Sequence, residues 1–325
     1  MLAELADCVR TSKGLAHKRD LEPVLTTLAA VLPEAQREFR LGDDCAVIAD
    51  GEGHLLFAAE GFLNEFVATQ PWFAGYCGVM VNVSDVYAMG GRPIAVVDAL
   101  WSRGYTHATP ILEGLTAAAQ VYQVPIVGGH SNARSDREQL AVAILGRAQK
   151  LLTSFDAQIQ DVLMIALDLR GRYREPYPYW DASTDCDPQR LRDDLALLPG
   201  LAQDGLCRAA KDISMAGILG TALMLLECSA RGAVIDVRRI PRPSAVAPLR
   251  WLVSTFPSYG FLLGVTPSHA AAVQRRFAAR GLACTVIGHC DDTHAVRLTD
   301  GAHEELIWDF STSPLMGCQP RTSPP

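Results

Sequence analysis

The chain has 325 residues, 49% of them hydrophobic, and a formal net charge of −7. That length allows two ordinary domains, or one large one, around a sizeable core. The negative balance excludes the basic stripe of a nucleic-acid-binding protein but not a nucleotide ligand, whose charge a divalent metal can offset.

No apolar run approaches the roughly 18 to 20 residues of a membrane helix. The first ten residues carry Glu4 and Asp7 and no hydrophobic signal core, so no export peptide and no membrane partner are expected. Nine cysteines are scattered without a Cys-x-x-Cys pair, which points to reduced thiols and a cytoplasmic location. Only four lysines, Lys13, Lys18, Lys150 and Lys211, stand against 25 arginines. A lysine kept in such a chain is a candidate for a task that needs a compact ammonium.

In chain order, 21–32 has helical apolar spacing, and 45–49 and 55–59 read as strands around the turn Asp50-Gly51-Glu52-Gly53. Residues 72–89 read as a helix ended by Gly90-Gly91-Arg92-Pro93. A strand follows at 94–100, a helix at 109–122, and strands at 124–127 and 139–147. A second unit begins near 155, with a strand at 161–169 and a long polar and aromatic loop at 172–193. Then come a helix at 216–230, strands at 233–237 and 261–265, a helix at 268–280 and a strand at 283–288. The predicted class is α+β with α/β-like stretches: domains 1–154 and 155–310, and a disordered tail at 311–325.

The P-loop pattern, the Gly-x-Gly-x-x-Gly fingerprint, His-Glu-x-x-His and Gly-x-Ser-x-Gly are all absent. What the sequence offers instead is a series of acids at element ends. Asp43 and Asp44 repel each other unless solvent or a cation intervenes. Glu60 ends a strand. Asn82 and Asp85 share a face of the 72–89 helix, at the edge of an apolar stripe formed by Val79, Val83 and Val86. Amide and carboxylate oxygens together suit a hard cation. Gly128-Gly129-His130-Ser131 follows the strand at 124–127, where a glycine pair lets backbone approach a ligand. Lys211 and Asp212 precede a helix for which Ser214 is the expected N-cap.

The order of these motifs resembles the superfamily of aminoimidazole ribonucleotide (AIR) synthetase, selenophosphate synthetase and thiamine-monophosphate kinase over residues 11–300. Asn82 to Pro93 is the most specific stretch, and Gly128–Ser131 also looks like selenophosphate synthetase. The closest likeness overall is to uncharacterised AIR synthase-related proteins. The resemblance implies an N-terminal domain whose strands form a β-barrel with a partner chain in a homodimer, and a C-terminal α+β sandwich. It implies ATP and Mg2+ as cofactors. Asp43 or Asp44, Asn82, Asp85 and Asp212 match metal positions. Glu60 matches one that is Asp in the named enzymes and so one methylene longer. Gly128, Gly129, His130, Ser131 and Lys211 are the expected nucleotide contacts. Lys18 matches a catalytic lysine, with Lys13 as its rival and His17 beside it, on an arm able to close over phosphates. Leu15 stands where selenophosphate synthetase has a reactive cysteine or selenocysteine, which disfavours that activity. Thiamine-monophosphate kinase is disfavoured as well, because its Asp-Ile-Ser-Asp-Gly appears here as Asp212-Ile213-Ser214-Met215-Ala216. The leading expectation is Mg–ATP-dependent phosphoryl transfer to, or activation of, an oxygen of a small molecule. The alternatives are an ATP-binding partner that matures another protein and an inactive dimeric relative.

Overall fold

The structure is a computed structural model that describes residues 2–31 and 40–318. Helices α1 (Leu2–Arg10), α2 (Lys13–Arg19) and α3 (Leu21–Val31) come first. Strands β1 (Ala46–Asp50) and β2 (Gly53–Gly61), helices α4 (Asn64–Thr69) and α5 (Pro71–Ala88), strand β3 (Arg92–Trp101), helix α6 (Tyr105–Tyr122), and strands β4 (Ile126–Asn132) and β5 (Gln139–Ala148) follow. Beyond them lie β6 (Val162–Leu167), β7 (Arg172–Tyr173), β8 (Tyr179–Asp181), α7 (Pro188–Leu195), α8 (Leu197–Gln203), β9 (Ala209–Asp212), α9 (Gly217–Cys228) and β10 (Gly232–Asp236). The last elements are α10 (Pro248–Val253), β11 (Phe256–Pro257), β12 (Gly260–Val265), α11 (Ala270–Ala278), β13 (Ala283–Asp291), β14 (Ala295–Thr299) and β15 (Glu304–Asp309).

Two compact units result. A terminal unit gathers Met1–Asp44, Leu152–Asp185 and Leu201–Pro325, and an inserted unit holds Cys45–Leu151 and Cys186–Gly200. The division therefore departs from a single cut at 154/155. Residues before 45 belong to the terminal unit because α1 turns Leu2, Leu5, Ala6 and Val9 inward against β14, β15 and α10. Residues 186–200 belong to the inserted unit, where α7 packs on α6 and the Arg192 guanidinium donates to the Val121 carbonyl at 2.6 Å.

The inserted unit is an open five-stranded sheet, β1-β2-β5-β3-β4, antiparallel except for the parallel β3–β4 pair. No closed barrel is found in it. Helix α5 lies on one face against β2, β3 and β5, and α6 packs on α5. The two helices touch backbone to backbone: a Cβ on Gly75 would come 2.0 Å from the Ile111 oxygen, and one on Gly114 would come 1.9 Å from the Trp72 oxygen. Pro71 starts α5 at its first turn, where no amide is needed. At its end Gly90 takes a left-handed φ of 75°, and Gly91 and Gly90 donate to the Val86 and Tyr87 carbonyls. The expected polar edge on this helix is not there: every residue from Phe73 to Ala88 is buried, Asn82 and Asp85 included.

The terminal unit holds a seven-stranded sheet, β15-β14-β10-β13-β6-β12-β9, with α9 and α11 packed on it. Its continuous apolar core includes Leu15, Ile165, Leu223, Trp251 and Met316. Residues 172–193, expected as loop, supply β7, β8 and most of α7, and β11 joins the two strands in a separate three-stranded sheet, β11-β8-β7. Trp180 of β8 packs edge-on against Tyr173 and Trp251, so Trp180 belongs to the core and Tyr173 lies against it. Residues 311–318, expected to be disordered, are folded in: Leu315 and Met316 are fully buried, and the backbone amides of Leu315, Met316 and Gly317 donate to the Glu227 carboxylate of α9. Residues 319–325 of the expected tail lie outside the described residues, as does Leu32 of the first expected helix.

Candidate functional site

In the terminal unit Asp43 and Asp44 meet the end of β9. Neighbours in sequence, they are used in different ways. Both Asp43 oxygens are taken up by Ser154, whose amide donates at 2.9 Å and whose hydroxyl donates at 2.6 Å, and the Asp44 amide closes a third bond at 3.0 Å. Asp43 is thus an anchor that pins the turn. Asp44 turns instead to β9. Its Oδ1 pairs with the Lys211 ammonium, and its Oδ2 accepts from the Asp212 amide at 3.3 Å. Lys211 is 2% exposed. Lys211, expected as a nucleotide contact, is engaged in this internal ion pair.

Burial, and then the neighbouring Asp44, push the Asp43 carboxyl up to about 6, against the pull of Lys211 and of the Ser154 hydrogen bonds. Burial acts to lower the Lys211 pKa, but Asp44, Asp43 and Asp212 outweigh it and hold the ammonium well above its ordinary range. The raised carboxyl gives a pH test. A folded-state pKa above the unfolded one stabilises below about 4, and that contribution is lost as pH rises through about 6. With Asp43→Asn as a non-titrating reference, the metal-free parent should lose on the order of 2 to 3 kcal/mol relative to the variant between pH 4 and pH 7. Urea melts of both proteins across that range check it, and parallel profiles would refute the assignment.

In the inserted unit Asn82 is fully buried. Its side-chain nitrogen donates to the Gly78 carbonyl at 2.8 Å and to the Val142 carbonyl at 3.2 Å. With the amide so fixed, Oδ1 has no hydrogen-bond partner among the described residues. Asp85 sits one turn further along the same helix. Val142 is also the centre of a row across the sheet. Glu60 pairs with it from β2 and Asp98 from β3, and Gly129 of β4 pairs with Asp98. Register partners share a face, and Val142 points at Gly78 of α5, so this row looks to the helix side.

Asp98 was not anticipated. Its signal was present: one acid inside the apolar strand run IAVVDAL. Burial raises its pKa, Oδ2 has no partner among the described residues, and a Cβ on Gly129 would come 2.6 Å from its Oδ1. Ser154 was missed too, because nothing in its own neighbourhood marks a residue that pairs with an acid 111 positions away. Gly128–Ser131, placed by sequence reasoning after a strand, forms part of β4. His130 pairs in register with Ala99, on the face opposite Asp98, with its ring 6.0 Å from that of Trp101. Ser214 is not a cap: Ala216 begins α9 without a side-chain hydrogen bond.

The segment carrying Lys13, His17 and Lys18 is no extended arm. It is the helix α2, capped by Ser12, whose oxygen accepts from the Leu15 amide at 3.2 Å. Leu15 is fully buried in the terminal unit's core, and a Cβ on Gly14 would come 2.1 Å from the Met215 carbonyl oxygen. Lys13 and His17 are exposed, and Lys18 is half-buried.

Comparison with known proteins follows this geometry closely. Residues 42–148 match the family model of the AIR synthase related protein, N-terminal domain, and residues 174–301 match that of the C-terminal domain. The uncharacterised protein sll0787 of Synechocystis is 46% identical over 98% of this chain and 98% of its own length. Thiamine-monophosphate kinase of Synechococcus elongatus is 25% identical over 87% of this chain and 92% of its own. Selenide, water dikinase of Myxococcus xanthus is 25% identical over 85% and 79%. Among solved structures, T. maritima PurL complexed with ADP superposes with a TM-score of 0.71 at 20% identity over 88% of this chain. The chain spans about half of that protein, 48% of its length. AaThiL complexed with AMPPCP and TMP superposes with a TM-score of 0.65 at 16% identity over 88% of this chain and 96% of that one.

Proposed function

Since this chain belongs to the AIR synthase-related family, whose N- and C-terminal domain models it matches in order, we propose that it binds Mg–ATP and uses it to phosphorylate, or activate for attack, an oxygen of a small molecule. The observation that carries the reading is the buried group of Asp43, Asp44, Lys211 and Asp212. The adenine nucleotides bound by PurL and AaThiL support it at the level of the fold.

The residues present fit magnesium, which takes oxygen donors and keeps several waters. Asp44 and Asp212 would hold such an ion in the terminal unit. In the inserted unit Asn82 Oδ1, aimed by its two amide hydrogen bonds, and Asp85 offer the same donor chemistry. Magnesium, when bound, neutralises the charge shared by phosphates and carboxylates, which is most of what phosphoryl transfer asks of a protein. Asp43 keeps Asp44 in place, and Ser154 keeps Asp43. Leu15 occupies the position of the reactive thiol or selenol of selenophosphate synthetase and is spent in the core, so selenide is not the proposed substrate.

The proposal includes a homodimer. The sheet face turned away from α5 carries Ile48, Phe57, Val97, Ala143 and Leu145 in matching registers on four strands, with Ile48, Phe57 and Val97 exposed. A second copy of the same face would bury it. Calorimetry with light scattering tests both points. The expected result is ATP binding that requires Mg2+, on a particle of twice the chain mass. A monomer at micromolar concentration would remove the dimer, and ATP binding that is absent or indifferent to Mg2+ would remove the activity.

A further inference from the structure

Lys211 is the one lysine that the fold buries among acids, in a chain that uses arginine for most of its cations. Its ammonium pairs with Asp44 Oδ1, and Asp44, Asp43 and Asp212 all act on it to favour the charged form. An arginine fork would demand more room and a planar bidentate partner. A compact ammonium instead resembles a metal ion in what it does there: it is a small cation held by carboxylate oxygens and shielded from water.

We infer that Lys211 is a resident counter-ion. It occupies the place at Asp44 Oδ1 that a further divalent cation, beside the one proposed for Asp44 and Asp212, would otherwise take, so the terminal unit's acids bind one divalent ion fewer than they would without it. Lys211 acts as a positioning residue, holding Asp44 in its bound orientation before any cation or nucleotide arrives. The inference deepens the Mg–ATP reading and rests on it. It goes beyond that reading by assigning this chain a smaller metal complement and a carboxylate already organised in the metal-free protein.

The test compares the parent with Lys211→Met, which keeps an unbranched apolar side chain of similar length and removes only the charge. Free Mn2+ is measured by electron paramagnetic resonance during titration of each protein, without nucleotide. Lys211→Met is expected to bind one more Mn2+ per chain than the parent. Its urea midpoint should be lower than the parent's in chelator and should recover in millimolar Mg2+, whereas the parent's should move much less. If the parent binds Mn2+ and Lys211→Met binds the same number, the inference fails while the metal reading stands. A parent that binds no Mn2+ takes down the metal reading, and the inference with it. Should Lys211→Met not fold in chelator, refolding in Mg2+ and the double variant Asp44→Asn/Lys211→Met provide the remaining arms. Recovery of the fold in both shows that charge was the defect. Failure in both shows that Lys211 serves packing alone and overturns the inference.

Discussion

Asp44→Asn should unfold at a markedly lower urea concentration than the parent and should bind no ATP in a magnesium-dependent way. Two separate costs lead there. The Asp44 and Lys211 side chains are 5% and 3% exposed, so the pair has left water almost entirely. Removing one charge of such a pair strands the other, at a cost of about 3 to 5 kcal/mol. Asn still offers an oxygen to the ammonium, and Asp43 and Asp212 remain near it, so the lower end of that range is expected. The binding loss has a different origin. Asn82 and Asp85 persist, but the terminal unit loses the carboxylate proposed to hold its ion, and Asp43 cannot replace it while Ser154 holds both of its oxygens. Asp43→Asn is the control, since that residue is an anchor: its variant should retain some magnesium-dependent binding. Parent-like stability for Asp44→Asn would mean that the ion pair contributes little, and parent-like binding would mean that the cation is held elsewhere.

The second large effect is expected far from the acids. Gly114→Ala places a methyl 1.9 Å from the Trp72 carbonyl oxygen and 2.8 Å from the Tyr76 amide nitrogen. The obstacles are backbone atoms of α5, so no side chain can rotate away. The two helices must part by more than 1 Å or so, an overpacking strain at or above about 3 kcal/mol. Alanine is the better helix former by about 1 kcal/mol, which offsets only part of this. A net loss of about 2 kcal/mol or more is expected in urea denaturation. Gly61→Ala is the matched control: no atom lies within 4 Å of its added methyl, and its stability should stay within about 0.5 kcal/mol of the parent. Equal behaviour of the two variants would mean that the α5–α6 crossing is not close-packed.

Much of this could be read in advance, for identifiable reasons. Asp43, Asp44 and Asp212 stand out in the sequence because they lie beside apolar runs, and Asn82 and Asp85 because they interrupt an apolar helix. The helix read at 72–89 is legible from its glycine end, and it starts one residue earlier, at Pro71. What escaped depends on distant pairing. Which of Asp43 and Asp44 is left to pair with Lys211 is decided by Ser154. Whether Lys211 faces a ligand or an acid is decided by a turn 167 residues before it. The burial of α5 on all sides escaped because a helix between a sheet and another helix has no polar face, and its few polar residues then look like an edge. The packing of 311–318 escaped because composition there is that of a tail. The deciding element is Glu227, one carboxylate in an apolar helix, which takes three amides from that segment.

That same contact bears on when the terminal unit can be completed during the protein's own synthesis. The inserted unit draws almost all of its residues from one continuous stretch, Cys45–Leu151, with Cys186–Gly200 added later. Its sheet can close while the ribosome is still at work. The terminal unit cannot follow so early. Its acid group joins residues 43 and 44 to 154 and to 211 and 212. Gly42, next to Asp43, lies against Cys318: a Cβ there would meet the Cys318 sulfur at 2.5 Å. Helix α1, which packs on β14 and β15, and Gly42 therefore wait for nearly the whole chain to emerge before they meet their final neighbours. Nascent chains halted before residue 209 would lack β9, and with it the Lys211 and Asp212 that complete the acid group.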